Sequence, residues 1–419
     1  MFEDIRRAGE AGHMDSCKIN KPVLMFDLDG INTWLIGKTL EIMRIRRQFS
    51  LRGLRGSQST DLKDEEIYNS VHRVYRRELR ISKSRYEKVA EYINEVFLAL
   101  ANYDARFHFD PMSIDDYQCE IVSPSELRVI CELKHLSKFS YEVDGEASDG
   151  RVQIRLRDDV HRYDIVSWDD VCSKRNQRTD KDFLNTRTVL EVFTTALGRA
   201  VRDVWNKHRN VGLVYRVSGN QARIYVDIPD TGFFTVSLIP AIKLTESAVK
   251  GLDTKSELLK GLGEKEEYFS TIYATAQPNR YFQDESWQLS FTTLENRIMN
   301  AEQFICGRVC LHALRHLLLS SKTPRCGIRA LTLSHLQLAV IQQYAQHPEA
   351  KDWTPAKFIK RLTGTMMSLK SCLREGTCVN QFSGANVFAQ FDLKSLKVLA
   401  KDVEHANTKC REKLARVSV

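Results

Sequence analysis

Glu126 and Arg128 stand two apart in Glu126-Leu127-Arg128-Val129-Ile130-Cys131-Glu132-Leu133, a run whose alternation and branched residues predict a strand. Alternate residues project from one face of a strand, so this carboxylate and guanidinium share a face. Two acids at that spacing would clamp a divalent cation, because hard cations take several oxygen ligands. With Arg in the second position the pair reads instead as an ion pair, and the guanidinium would repel a metal. Pro124 marks the strand entry by pushing Ser123 out of the α region. Upstream, Arg73, Arg76, Arg77 and Arg80 fall at i, i+3, i+4 and i+7, so a helix sets all four on one face, extended by Lys83 and Arg85. Such a row can track phosphates or meet an acidic partner. The plainer alternative is a solvated, salt-bridged face. Cys306, Cys310, His312 and His316 have the chemistry of zinc ligands. At about 100° per residue, however, the cysteines and the histidines point to nearly opposite sides of one helix. No zinc is expected, and buried reduced cysteine is.

The 419 residues suffice for two or three domains, and 42% hydrophobic with 28% charged residues describes a folded chain. A net charge of +8 mildly favours nucleic acid, nucleotide or an acidic protein as partner. Ten cysteines without a regular framework, behind a charged and signal-free N-terminus, imply a reducing intracellular setting, cytoplasm or nucleus. No apolar run approaches the ~18 residues of a membrane span, so no membrane partner is expected.

Three segments are expected to position these side chains. Residues 1–62 form an N-terminal extension, partly flexible, with a basic glycine-containing linker at 44–56. Within it, residues 22–30 resemble the first motif of the haloacid-dehalogenase phosphatases, where two Asp, here Asp27 and Asp29, act as nucleophile and acid. That family continues Gly-Thr where this chain has Gly30-Ile31, and no series of βαβ units follows to build its sheet. Residues 63–283 form a core. A long basic helix starts at Asp61, a candidate N-cap, and buries Val89, Ile93, Val96 and Leu100. Strands are expected at 151–157, 223–227 and 233–239, the last two joined by a hairpin at 229–232, with a helix over 185–205. Residues 141–146 read as a turn and 244–283 as loop with short helix. Residues 284–419 form a helical lobe, with helices near 311–319, 331–345, 355–373 and 393–414. Strands first and helices afterwards give an α+β fold.

The order of several short motifs is similar to that of the Mab-21 proteins, which share a nucleotidyltransferase fold with cyclic GMP-AMP synthase. They are Val122-Ser123-Pro124-Ser125-Glu126-Leu127, Phe139, Asp144-Gly145, Trp287-Gln288-Leu289-Ser290-Phe291 with Glu295, His347-Pro348 with Asp352-Trp353, and Ser371-Cys372-Leu373 with Cys378 and Phe382. The resemblance spans about residues 70–400. It implies a two-lobed fold: a mixed β-sheet with a long spine helix, then a helical C-terminal lobe. It implies two acids on one strand and a third on a later strand, holding two magnesium ions for phosphoryl transfer. Carried onto this chain those positions are Glu126, Arg128 and Ser237, a degenerate set in which Glu126 alone is a weak metal ligand. Asp227 and Asp230 could stand in for the lost acid, but strand ends and turns are where Asp is ordinary. Arg128's expected partner is Glu126. The family's phosphate-cradling Gly-Ser turn becomes Met112-Ser113. Ser113, Arg315 and Thr332 would contact nucleotide, and the Arg73 to Lys83 face would contact nucleic acid. A regulator of development or cell fate that binds a nucleotide, nucleic acid or protein partner, with a degenerate catalytic centre, is the favoured implication. The alternative is an active, nucleic-acid-sensing enzyme using ATP or GTP with magnesium.

Overall fold

The computed structural model describes residues 59–113, 119–123, 125–136, 141–157, 168–173, 183–218, 221–229, 231–245, 249–252, 272–276, 285–319, 331–389 and 391–418. All belong to one compact unit, Arg52–Val419. The Asp27-Asp29 motif, the basic linker, Phe139 and Asp230 lie outside the described residues.

Helix α1 (Ser59–Tyr103) is a 45-residue spine. It starts two residues ahead of the expected Asp61, within the ordinary uncertainty of helix ends. Tyr86, Val89, Ile93, Val96 and Leu100 recur at three- and four-residue steps and are fully buried. Helix α2 (Thr186–Lys207) packs beside it through Val189, Phe193, Leu197 and Val201. Asn185 caps α2: its Oδ1 accepts from the Thr188 N–H at 2.9 Å. Asn185→Ala should cost about 1 kcal/mol, read as a lower urea midpoint at unchanged slope.

The strands are β1 (Cys119–Ser123), β2 (Glu126–Glu132), β3 (Tyr141–Asp144), β4 (Arg151–Leu156), β5 (Cys172–Ser173), β6 (Phe183–Leu184), β7 (Gly212–Ser218), β8 (Gln221–Ile228), β9 (Gly232–Leu244), β10 (Ile272–Thr275) and β11 (Ser286–Ser290). They form one mixed sheet in the order β1-β2-β9-β10-β11-β4-β6-β5. Strand β8 also pairs with β9 and carries β7, and β3 pairs with β4. The β2–β9 pairing is parallel; its neighbours are antiparallel. On one face Phe234, Val236 and Leu238 of β9 lie with Leu127 and Val129 of β2. The Tyr86 ring meets Phe234 edge-on at 6.0 Å, so this face rests on α1. The opposite face carries Glu126, Arg128, Thr235, Ser237 and Arg223.

Three expectations fail here for stated reasons. Residues 141–144 are a strand because Tyr141 and Val143 alternate along β4, not a turn. Residues 272–275 are a wholly buried strand inside the segment expected to be loop. Residues 286–290 begin no helix. They add β11 to the sheet, with Trp287 and Leu289 inward and the Trp287 Nε1–H donating to the Leu184 carbonyl at 3.0 Å. Helices then follow in series: α3 (Thr292–Asn300), α4 (Ile305–Leu319), α5 (Leu333–Gln346), α6 (Phe358–Glu375) and α7 (Leu393–Ser418). The fold is α+β: a mixed sheet on a spine helix, then a helical C-terminal lobe. Among the described residues no helix is long and apolar enough to cross a membrane.

Candidate functional site

The site is a row of side chains across four strands. Register places Glu120 opposite Arg128, Arg128 opposite Ser237, and Ser237 opposite Arg223. Residues directly opposite in a sheet share a face with Cβ atoms roughly 5 Å apart. A bulge between Ile121 and Ser123 sets this alignment. The turn end pairs Ser123 with Glu126, and the extra residue slides β1 so that Glu120 meets Arg128.

Arg128 Nη1 lies 2.8 Å from Glu120 Oε2. It also donates to Ser334 Oγ on α5 at 3.4 Å, which ties the sheet to the helical lobe. Arg128's partner is therefore Glu120, not Glu126. Residues i and i+2 on one strand stand about 7 Å apart, whereas the cross-strand neighbour is closer. Glu120 is only 4% exposed, and its Oε1 has no hydrogen-bond partner among the described residues. The same holds for the Ser237 hydroxyl, which is 2% exposed. Asp227 does not replace the missing acid. It pairs with Phe233, four residues along β9 from Ser237, or roughly 13 Å at strand rise.

Two titratable groups from the helical lobe feel this row. Glu295 on α3 is buried, and its carboxyl is pushed up to about 8, first by burial and then by the nearby Glu120 charge. Asn380 Nδ2 donates to its Oε1 at 3.3 Å. His335 on α5 is held down to about 4 by burial and by the Arg128 charge, so it is neutral at pH 7. It completes a capping box: Thr332 N–H donates to His335 Nδ1 at 3.0 Å and His335 N–H returns to Thr332 Oγ1 at 3.4 Å.

The other expected site residues are dispersed. Thr332 is exposed, with its hydroxyl engaged in the α5 cap; the α5 residue that meets the row is Ser334. Arg315 stands half-buried on α4. Ser113 is exposed beside Met112, whose N–H donates to Asn94 Oδ1 on α1 at 2.6 Å. It lines a narrow crevice with Ile130 and Glu132, at the far end of β2 from Glu126. Arg73, Arg76, Arg77 and Lys83 are exposed on α1; the Arg80 side chain is outside the described ones. Arg85 leaves that face. Its Nε donates to the Thr231 carbonyl at 2.9 Å and its guanidinium lies over Phe234, so it anchors the β8–β9 turn. On α4, Cys306 and Cys310 donate to the Thr354 and Phe358 carbonyls, while His312 packs on Tyr75 of α1 and on His316. The two pairs thus face different neighbours.

Sequence reasoning singles out neither Glu120, Ser334, His335 nor Asn380, and uses Glu295 only as a mark of resemblance. The signal for Glu120 is its place one short hairpin ahead of Arg128. For the helical-lobe residues there is none, because the lobes meet only in three dimensions.

At the three positions to which the family resemblance assigns magnesium ligands, the side chains are a carboxylate, a paired guanidinium and a buried neutral hydroxyl. They do not fit a pair of divalent cations, which would need converging anionic oxygens. Among the described residues no group of three or more His, Cys, Asp or Glu is arranged to hold a metal.

Residues 117–301 match the Mab-21 protein nucleotidyltransferase domain, and residues 306–405 match the Mab-21 protein HhH/H2TH-like domain. Over 155 residues, 34% of the chain, the sequence is 25% identical to cyclic GMP-AMP synthase of Mus musculus. That match spans 31% of the relative's own length. Two consecutive domain matches, laid over a sheet with its spine helix and a helical lobe in that order, together span more than half of the chain, which belongs to the Mab-21 family.

Proposed function

We propose that this protein is a nucleotidyltransferase-fold regulator whose cleft binds a nucleotide or other anionic partner without two-metal phosphoryl transfer. One observation carries this: the second acid position holds Arg128, and its guanidinium is fixed 2.8 Å from the buried Glu120. A fixed cation there repels magnesium but attracts phosphate, since a guanidinium presents several N–H donors to an oxyanion. Of the nucleotide contacts the family resemblance implies, Ser113 lies at the far end of β2 and Thr332 is engaged in the α5 cap, so the proposal gives the α5 contact to Ser334 beside Arg128 and keeps Arg315 as the resemblance has it. An intracellular setting and a developmental role belong to the same proposal.

The experiment is a thermal-shift titration of the full chain with each nucleoside triphosphate, with magnesium and then with a chelator. Binding to the folded state alone raises Tm. The shift should survive chelation. A shift seen only with magnesium would place a metal in the cleft and reject the proposal.

The exposed Arg73, Arg76 and Arg77 favour a second binding surface, for the nucleic-acid backbone. Triple replacement by Glu should weaken binding to duplex DNA or RNA of any sequence. It should flatten the plot of log affinity against log salt by about 0.9 for each phosphate no longer neutralised. An unchanged slope would locate the binding surface elsewhere.

A further inference from the structure

Helix α6 ends at Glu375, and Gly376 takes the left-handed conformation at φ 71°, which turns the chain back beneath its own last turn. The Thr377 N–H donates to the Cys372 carbonyl at 3.1 Å. The returning segment is held by Asn386, which accepts from the Cys378 N–H at 2.9 Å and donates to the Gly376 carbonyl at 3.0 Å. These bonds bring Cys378 back beside Cys372, so that a single side chain reaches both sulfurs. Gln342 of α5 braces both sulfurs. Its Nε2 donates to Cys378 Sγ at 3.4 Å, and its Oε1 accepts from Cys372 Sγ at 3.6 Å. Cys378 is 1% exposed, whereas Cys372 is partly open to solvent.

We propose that Cys372 and Cys378 are a peroxide-sensitive dithiol, in which Cys372 is oxidised first and Cys378 resolves it to a disulfide. A redox-sensing pair needs an accessible sulfur with thiolate character beside a protected resolving thiol. Hydrogen bonding with Cys378 holds the Cys372 thiol below its usual range, against the opposing effects of burial and then of Glu375. Cys378 is correspondingly held up, by that hydrogen bond and by burial, with Glu295 adding to it.

The chemistry balances with a hydroperoxide as oxidant. The Cys372 thiolate attacks one peroxide oxygen, the O–O bond breaks, and the leaving hydroxide takes up the proton as water. Cys378 sulfur then attacks the sulfenic sulfur, the S–O bond breaks, and a second water leaves with the Cys378 proton. Two thiols and one hydrogen peroxide give one disulfide and two waters; the sulfurs lose two electrons and the peroxide gains two. Closing the contact to an S–S bond of about 2.05 Å falls on the Gly376 turn. The bond would join α6 to the loop whose Asn380 supports Glu295, so oxidation would be felt at the cleft.

The internal control is Cys306 and Cys310, also neighbours but both fully buried, the Cys310 thiol being pushed up by burial. The test treats the full chain with hydrogen peroxide, alkylates the remaining thiols and maps them by mass spectrometry. The Cys372–Cys378 disulfide should form roughly tenfold or more faster than the Cys306 and Cys310 thiols disappear, and dithiothreitol should reverse it. Cys378→Ser should leave Cys372 trappable by dimedone as the sulfenic acid, and Cys372→Ser should leave Cys378 reduced. Accumulation of Cys372 sulfinic acid in the wild-type chain with Cys378 still a thiol would overturn the proposal. So would oxidation of Cys306 or Cys310 first.

Discussion

Arg128→Leu should destabilise the protein by about 3–5 kcal/mol, the cost expected when one partner of a buried ion pair is removed. Glu120 is 4% exposed, and its second oxygen already has no hydrogen-bond partner among the described residues, so without the guanidinium its charge is stranded. Two readouts separate this from lost packing. Glu120→Leu combined with Arg128→Leu should recover much of the loss, because a buried pair replaced together by apolar groups is often near neutral. The deficit of the single variant should shrink at acid pH. Burial favours the protonated form of a stranded carboxyl, so the variant keeps its stability at low pH and loses it as pH rises. A cost under about 1 kcal/mol in urea titration would mean that solvent, not Arg128, compensates Glu120.

Glu295 should make the protein less stable as pH rises toward 8. The folded-state carboxyl titrates at about 8 against an ordinary 4.5. Below 4.5 both states carry the proton and there is no penalty. Between the two values the unfolded state has released its proton and the folded state has not. Stability then falls by up to about 1.4 kcal/mol per pH unit, levelling off above 8. Glu295→Gln keeps an acceptor for Asn380 and cannot ionise. At pH 8 it should be more stable than the wild type by on the order of 4 kcal/mol, and the two should converge near pH 4. Parallel stability curves from pH 4 to 8 would show that Glu295 is ionised in the folded state.

What the sequence revealed and what it hid have separate physical causes. The spine helix, α2 and the β8–β9 hairpin were legible because each buries a periodic stripe and ends at a cap or turn residue. Strand β10 was not, since a four-residue apolar run amid Lys and Glu has too few residues to show a period. Strand β11 was misread because Trp287 and Leu289 belong equally to a strand or to the start of a helix. Arg128 on β2 was legible as a cation where an acid was expected. Its partner was not, because the β1 bulge shifts the register by one. Without it Arg128 would oppose Ile121, and Glu120 would point to the other face. Some marks that carried the family resemblance are packing devices. Trp353 Nε1 donates to the His347 carbonyl at 2.8 Å, and Asp352 Oδ1 pairs with Lys357 and Arg361 at 3.1 and 3.2 Å. Such residues identify a fold and leave its chemistry open.

That chemistry is tested most directly by turnover. The full chain would be incubated with labelled ATP and GTP, with magnesium or manganese, and with and without duplex DNA or RNA. If Arg128 has displaced the metal site, no nucleotide product should form under any of these conditions. A metal-dependent product that Glu126→Ala abolishes would show that the cleft is a working nucleotidyltransferase.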